Sequence, residues 1–296
     1  MTDSMTIGII AGSGLGEALL DGIDPRGVKH HFPETPFGRP SGTIVTATYN
    51  DVNIAILQRH GDGHVLNPAA VPYRANIFAL KELGCTHLIA SGATGSLRED
   101  IHPGDLVLVD QIIDQTNDRK RTFYEHAAVH VEFAEPCCGV MRSWLLSASK
   151  TLEGQTVHET GTYVCMEGPA FSTRAESELH RQWGADLIGM TAVPEAKLAR
   201  EAEMAYALVS LPTDYDCWKP RDQADQQSLL LEIIGNLQKA TQASINLIRA
   251  ALDDVSRLRE NPSSAHDALK LAIWSDKTKI DRAEVDRLRP LWGRHI

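Results

Sequence analysis

A chain of 296 residues, 43% hydrophobic and 23% charged, has the composition of a globular protein large enough to bury a sizeable core. Its 39 acidic against 29 basic residues, a formal charge of −10, count against nucleic acid or an anionic membrane as the main partner, so any anion site must be local. No stretch approaches the ~20 apolar residues that span a bilayer and residues 1–4 are polar, so no membrane association and a cytoplasmic location are expected. The cysteines Cys85, Cys137, Cys138, Cys165 and Cys217 are odd in number and form no CxxC pair, a pattern that fits neither a disulfide framework nor a zinc site.

The first element is a strand, Thr6–Ile10, that runs into Ala11-Gly12-Ser13-Gly14-Leu15-Gly16. Glycines allow close backbone approach to an anion, and the Ser13 hydroxyl is a further donor, although a plain strand-to-helix turn uses the same residues. Glu17 stands where a dinucleotide fingerprint needs its third glycine, and no Gly-Lys-Ser/Thr follows, so both standard nucleotide-loop readings are weakened.

Thr43–Tyr49 and Val52–Leu57 flank Asn50-Asp51 and read as a hairpin whose second strand delivers Arg59-His60-Gly61-Asp62-Gly63-His64 to the surface. Arg59 offers a fork of donors to an oxyanion, and the histidines beside it are donors that can also carry charge. His60 and His64 are four apart, but in glycine-rich sequence that lacks the rigid spacing of a zinc helix, so no metal is expected.

Helical periodicity covers Tyr73–Leu83 and stops at Gly84; the strand His87–Ala90 follows and breaks into Ser91-Gly92-Ala93-Thr94-Gly95-Ser96, a second run of small residues suited to closing an anion pocket with Ser13 and Arg59. Asp105–Val109 reads as a strand, and 114–132 as an irregular excursion or oligomer contact. A helix over Arg142–Leu152 and a strand over Val157–Val164 lead to Cys165–Thr173, whose Phe171 can offer a flat face to a planar ring or be buried in a core. Thr173–Glu176 opens the next helix as a capping box. Ala185–Met190 is a strand ending in Thr191-Ala192-Val193-Pro194-Glu195, Ala196–Met204 is helical, and Ala205–Leu211 is a buried strand.

That last strand runs out into Thr213-Asp214-Tyr215-Asp216-Cys217-Trp218, at the sheet edge where open α/β folds bind ligands. If the segment stays extended, Asp214 and Asp216 share a face and one of the two carboxyls holds its proton more tightly, ready to donate to a leaving group or a nitrogen heterocycle; a solvated acidic turn is the plainer alternative. One long amphipathic helix or two joined cover Gln226–Leu252, Asn261–Ser264 interrupt it, and the tail carries short helical patterns at Ala268–Leu271 and Val285–Leu288 with Trp274 and Trp292 as apolar anchors. The alternation of strands and helices predicts a single α/β domain, residues 1–255, with a central mixed sheet flanked by helices, plus a short helical extension, 256–296, packed on that domain or on a neighbouring subunit.

The ordered set Ile7–Leu15, Thr35-Pro36-Phe37-Gly38, Arg59-His60-Gly61, Ala75–Lys81, Gly95–Glu99, Glu167-Gly168-Pro169, Met190–Glu195 and Thr213–Trp218 resembles the S-methyl-5′-thioadenosine phosphorylases, trimeric members of the purine nucleoside phosphorylase superfamily. The resemblance implies a phosphorylase/hydrolase-like fold and a pentosyltransferase in which inorganic phosphate, a co-substrate, attacks C1′ of the nucleoside without a further cofactor. It implies phosphate contacts at Ser13, Arg59, His60, Gly92, Ala93 and Thr191, a ribose contact at Met190, a base contact at Phe171, and Asp214 and Asp216 facing purine N7 and the 6-amino group. His130 matches a residue that the neighbouring subunit lends to the 5′ side. Gly92 stands where many relatives carry threonine, Ser172 where 6-oxopurine enzymes carry glutamate, and the 5′ pocket would draw on Gln226–Leu230. Broader 5′ specificity, a non-catalytic nucleoside-binding protein and a nicotinamide oxidoreductase are the competing readings.

Overall fold

The structure is a computed structural model, and it describes residues 5–12, 15–21, 23–220 and 226–296. Its strands are β1 (Thr6–Ala11), β2 (Lys29–His31), β3 (Ile44–Tyr49), β4 (Val52–Gln58), β5 (Cys85–Ser96), β6 (Leu106–Leu108), β7 (Gln111–Gln115), β8 (Val157–His158), β9 (Thr162–Met166), β10 (Leu187–Gly189) and β11 (Ala205–Asp214). The helices are α1 (Leu15–Leu20), α2 (Tyr73–Glu82), α3 (Gly139–Ser149), α4 (Arg174–Gln182), α5 (Ala192–Glu201), α6 (Gln226–Leu252), α7 (Ser256–Glu260), α8 (Arg282–Arg287) and α9 (Arg289–Trp292).

All these strands join one mixed sheet, with β5 at its branch point. Along its first part β5 lies between β1 and β11, parallel to both, while its last residues, Gly95 and Ser96, pair antiparallel with Ile188 and Leu187 of β10. Alternation along the strands assigns their side chains to two cores. Ile10, Leu88, Ala90, Tyr206 and Leu208 pack with α2, α5 and the tail, whereas Ile7, Ile9, Ile89, Ala207 and Val209 pack with α1, α3 and α6. With both faces covered, β11 is apolar nearly throughout rather than alternating.

The Asn50-Asp51 turn has φ of 43° and 64° at its two residues, the left-handed pair that matches hairpin twist. Thr173 and Glu176 cap α4 reciprocally. Several expectations are corrected. β5 does not break after Ala90: Ser91–Ser96 stays extended because β11 and β10 supply its backbone partners. The strand expected over Val157–Val164 is two, β8 pairing with β6 and β9 with β10 and β7. Gln226–Leu252 is one helix, and Ala268–Leu271 is turn rather than helix. In the tail Trp292 is fully buried and stacks on Tyr124 at 4.8 Å, but Trp274 is 72% exposed and touches the His130 ring at 4.7 Å, so it does not anchor the tail in this chain's core.

Candidate active site

A cavity of about 360 Å³ opens where β1, β4, β5, β10 and β11 end. It is lined by, among others, Gly12, Arg59, His60, the run Ser91–Gly95, Met190, Thr191, Asp214 and Asp216, so strand ends far apart in sequence converge on one space. A wider groove of about 790 Å³ bounded by Trp144, Arg257 and Glu260 shares no residue with it and gathers no comparable set.

At one end sits Arg59, 1% exposed. Its Nε and Nη2 donate to the two Glu195 carboxylate oxygens at 2.7 and 2.9 Å, and Nη1 donates to the Ser91 carbonyl at 2.8 Å. The Tyr206 hydroxyl adds a bond to Glu195 Oε1 at 2.9 Å. Burial works against the guanidinium charge, and the Glu195 carboxylate overrides it, holding the arginine pKa above its ordinary value. Arg59 therefore meets an anion as half of an ion pair, with two of its five N–H groups unspent, rather than as an isolated positive charge. Glu195 carries no local signal of this role in the sequence, because its partner is 136 residues away.

His60 also differs from expectation. Its Nδ1 lies 2.8 Å from the Leu66 carbonyl, which can only accept, so Nδ1 carries the proton. Burial lowers its pKa to about 4. At neutral pH the ring is uncharged, and its remaining nitrogen, Nε2, is an acceptor rather than the charged donor expected. His64 stacks on it at 4.2 Å. Among the described residues no group of three His, Cys, Asp or Glu is placed to hold a metal ion.

Gly92 and Ala93 line the cavity from within β5. A Cβ on Gly92 would stand 3.4 Å from the Thr191 hydroxyl and 3.7 Å from Arg59 Nη1, so these three groups face the same point. Thr191 stands at the N-cap position of α5 without a side-chain capping bond, and its N–H donates to the Tyr163 hydroxyl at 3.3 Å. A Cβ at Gly189 would collide with that hydroxyl, which explains the glycine.

The two aspartates are neighbours for a different reason than strand alternation. β11 ends at Asp214, and Asp216, with φ of 50°, turns back so that its N–H donates to Asp214 Oδ1 at 2.7 Å. Thr213 Oγ1 donates to Asp214 Oδ2 at 2.9 Å. This aspartate turn, rather than an extended segment, brings both carboxylates to the cavity. Trp218 secures the loop from behind, donating to the Ser96 carbonyl at 2.8 Å beneath the Arg181 guanidinium, and Asn236 of α6 donates to the Thr213 carbonyl at 2.9 Å.

Part of the cavity wall is apolar. Met166, Ile188 and Leu211 line it together with Ile233 and Leu237 of α6, and Thr241 continues the same i, i+4 stripe. Ile233, Leu237 and Thr241 lie downstream of the expected Gln226–Leu230 segment. Phe171 lines the cavity but is 85% exposed, standing over the opening. Ser172 does not line it: its hydroxyl donates to Met166 Sδ at 3.8 Å and its carbonyl accepts from Cys217 Sγ at 3.4 Å. His130 is exposed against Trp274 and does not reach the cavity of its own chain. Ser13 lies outside the described residues.

Fold and cavity together define an enzyme of the open α/β class, with a donor-lined anion end and a pair of carboxylates beside an apolar wall. Residues 6–253 match the family model described as Phosphorylase superfamily. An S-methyl-5′-thioadenosine phosphorylase of Cereibacter sphaeroides is 51% identical over 97% of both chains, and that of Geobacter sulfurreducens is 44% identical over 98% of this chain and 99% of its own. Among solved structures, a methylthioadenosine phosphorylase from an antarctic soil metagenomic library superposes with a TM-score of 0.87, at 42% identity over 98% of this chain and 99% of that one. The Schistosoma mansoni methylthioadenosine phosphorylase in complex with adenine gives 0.80, at 34% identity over 91% and 99%. The chain belongs to the S-methyl-5′-thioadenosine phosphorylase family of the phosphorylase superfamily.

Proposed function

We infer that the protein catalyses the reversible phosphorolysis of S-methyl-5′-thioadenosine, giving adenine and 5-methylthioribose 1-phosphate. The observation that supports this best is the convergence, in one cavity, of an anion end built from Arg59, Ser91–Ala93 and Thr191 with the Asp214/Asp216 turn and the Ile233/Leu237 wall. Phosphate seats against the unspent Arg59 N–H groups and the Thr191 hydroxyl, with Gly92 beside it and Ser13, by the family resemblance, as a further donor, and the hydroxyl of HPO₄²⁻ faces His60 Nε2. A phosphate oxygen bonds to C1′ as the C1′–N9 bond breaks and its electron pair leaves with the purine. A carboxyl of the Asp214/Asp216 pair gives a proton to N7, which stabilises charge that develops only in the transition state, and the other accepts from the 6-amino group. Met190 holds the ribose, Phe171 covers the base, and Ile233 and Leu237 accept the methylthio group, for which apolar carbon suits better than polar groups.

We further place the enzyme in the cytoplasm as a homotrimer, with His130 of one subunit at the 5′ side of its neighbour's site. The exposure of the adjacent Leu230 and Leu231, and of Trp274 beside His130, supports an interface, and among the described residues no helix is long and apolar enough to cross a membrane. The test is adenine release from methylthioadenosine with and without phosphate, and with nicotinamide added. Strictly phosphate-dependent release is expected; binding without turnover, or turnover that requires nicotinamide, overturns the reading. Light scattering of an active monomer overturns the trimer.

A further inference from the structure

Arg119 lies in the irregular 114–132 stretch and is 7% exposed. Its Nη1 donates to the carbonyls of Met190 and Val193 at 2.6 and 2.7 Å, and its Nη2 to that of Glu167 at 2.6 Å. Nε reaches the Glu167 carboxylate at 3.2 Å, and Nη1 lies 3.3 Å from the Tyr73 hydroxyl, with the guanidinium over that ring at 5.6 Å. The other Glu167 carboxylate oxygen accepts from the Asn117 N–H at 2.8 Å, which locks the loop that carries Arg119 onto the same residue.

The three carbonyls belong to three separate pieces of the site. Met190 follows β10 and lines the cavity. Val193, with non-helical φ and ψ of −120° and 135°, interrupts the start of α5 two residues before Glu195, the partner of Arg59. Glu167 introduces the loop that carries Phe171. A planar fork with five donors can hold three acceptors in fixed directions, whereas the point charge of a lysine cannot.

We propose that Arg119 is a positioning residue: it holds the ribose-facing Met190, the base-covering loop and the α5 turn behind the anion end in one register, so that base, sugar and phosphate meet in a reactive alignment. This rests on the phosphorolysis reading above. Misplacement of reacting groups by about 1 Å costs on the order of 10²-fold in rate. Adenine alone engages the base end, which the Asp214/Asp216 turn faces, and its binding does not require base, sugar and phosphate to share one register.

The test compares wild type, Arg119→Met and Arg119→Lys by steady-state kinetics with methylthioadenosine and phosphate and by calorimetric titration with adenine. For Arg119→Met the expected result is adenine binding at unchanged stoichiometry, with Kd within about threefold, while kcat at saturation of both substrates falls about 30- to 100-fold. Arg119→Lys should fall between it and the wild type. If Arg119→Met yields no folded protein, Arg119→Lys decides on the same readouts. A kcat within threefold of wild type in the variants overturns the proposal. So does a loss of kcat matched by an equal loss of adenine sites or of adenine affinity, since folding alone would then account for it. A wild type that turns over no nucleoside overturns the phosphorolysis reading, and this proposal with it, which keeps the two failures distinct.

Discussion

Replacing Arg59 by methionine separates two consequences of the buried pair. Glu195, also 1% exposed, would keep the Tyr206 hydroxyl but lose the bidentate bonds at 2.7 and 2.9 Å that neutralise it. Breaking such a pair on one side costs about 3–5 kcal/mol. In a chain of this size that corresponds to a fall in Tm of about 5–8 °C. A charged hydrogen bond to phosphate is worth about 2–3 kcal/mol, so the phosphate KM should also rise about 30- to 150-fold. The double variant Arg59→Met/Glu195→Gln removes the orphaned charge while leaving phosphate without its arginine. Thermal denaturation should show the double variant regaining at least half of the lost Tm, and initial rates against phosphate concentration should show KM still raised at least about 30-fold. A double variant no more stable than the single one would refute the ion-pair argument. A phosphate KM back within threefold of wild type would refute the role of Arg59 in anion binding.

Asp214→Asn should cut kcat/KM for methylthioadenosine at least about a hundredfold while sparing methylthioinosine comparatively, because the amide can neither donate an acidic proton nor accept from the 6-amino group in the same way; equal losses on the two substrates would show that Asp214 does not read the 6-position. Gly92→Ser places a hydroxyl where a Cβ meets Thr191 Oγ1 at 3.4 Å and Arg59 Nη1 at 3.7 Å, so the phosphate KM should fall about 2- to 10-fold, the worth of one hydrogen bond; a higher KM would place the anion elsewhere. His60 and His87 titrate near 4 in the folded chain because burial opposes their charge, while unfolded histidine titrates near 6.5. Each therefore removes stability as pH falls from about 6.5 to about 4. Glu201, pushed up to about 7 by burial, acts in the opposite direction, removing stability as pH rises from about 4.5 through 7. Denaturant titrations of His87→Asn and Glu201→Gln against wild type should give difference curves of opposite slope in these windows, and flat differences would refute the burial argument.

What the sequence determined by itself is local. The strands and helices follow from periodicity, the hairpin from Asn50-Asp51, the cap of α4 from Thr173 and Glu176, and the ligand-binding edge from small residues and aspartates placed where apolar runs end. Those signals are written within a few residues of where they act. Tertiary structure alone decided the rest, because the remaining features depend on partners far apart in the chain or on burial and backbone turns that the residue types permit without dictating. The extension of β5 through Ser96 depends on the pairing offered by β10 and β11. The neutrality of His60 depends on its burial, and its tautomer on the Leu66 carbonyl within a loop of irregular backbone. Glu195 meets Arg59 across 136 positions, and Arg119 reaches Met190 and Val193 across 71 and 74, so no pattern of spacing announces either. Even the Asp214/Asp216 pair, legible as two carboxylates at a strand end, takes its geometry from a left-handed turn at Asp216, a conformation that an aspartate tolerates but does not dictate.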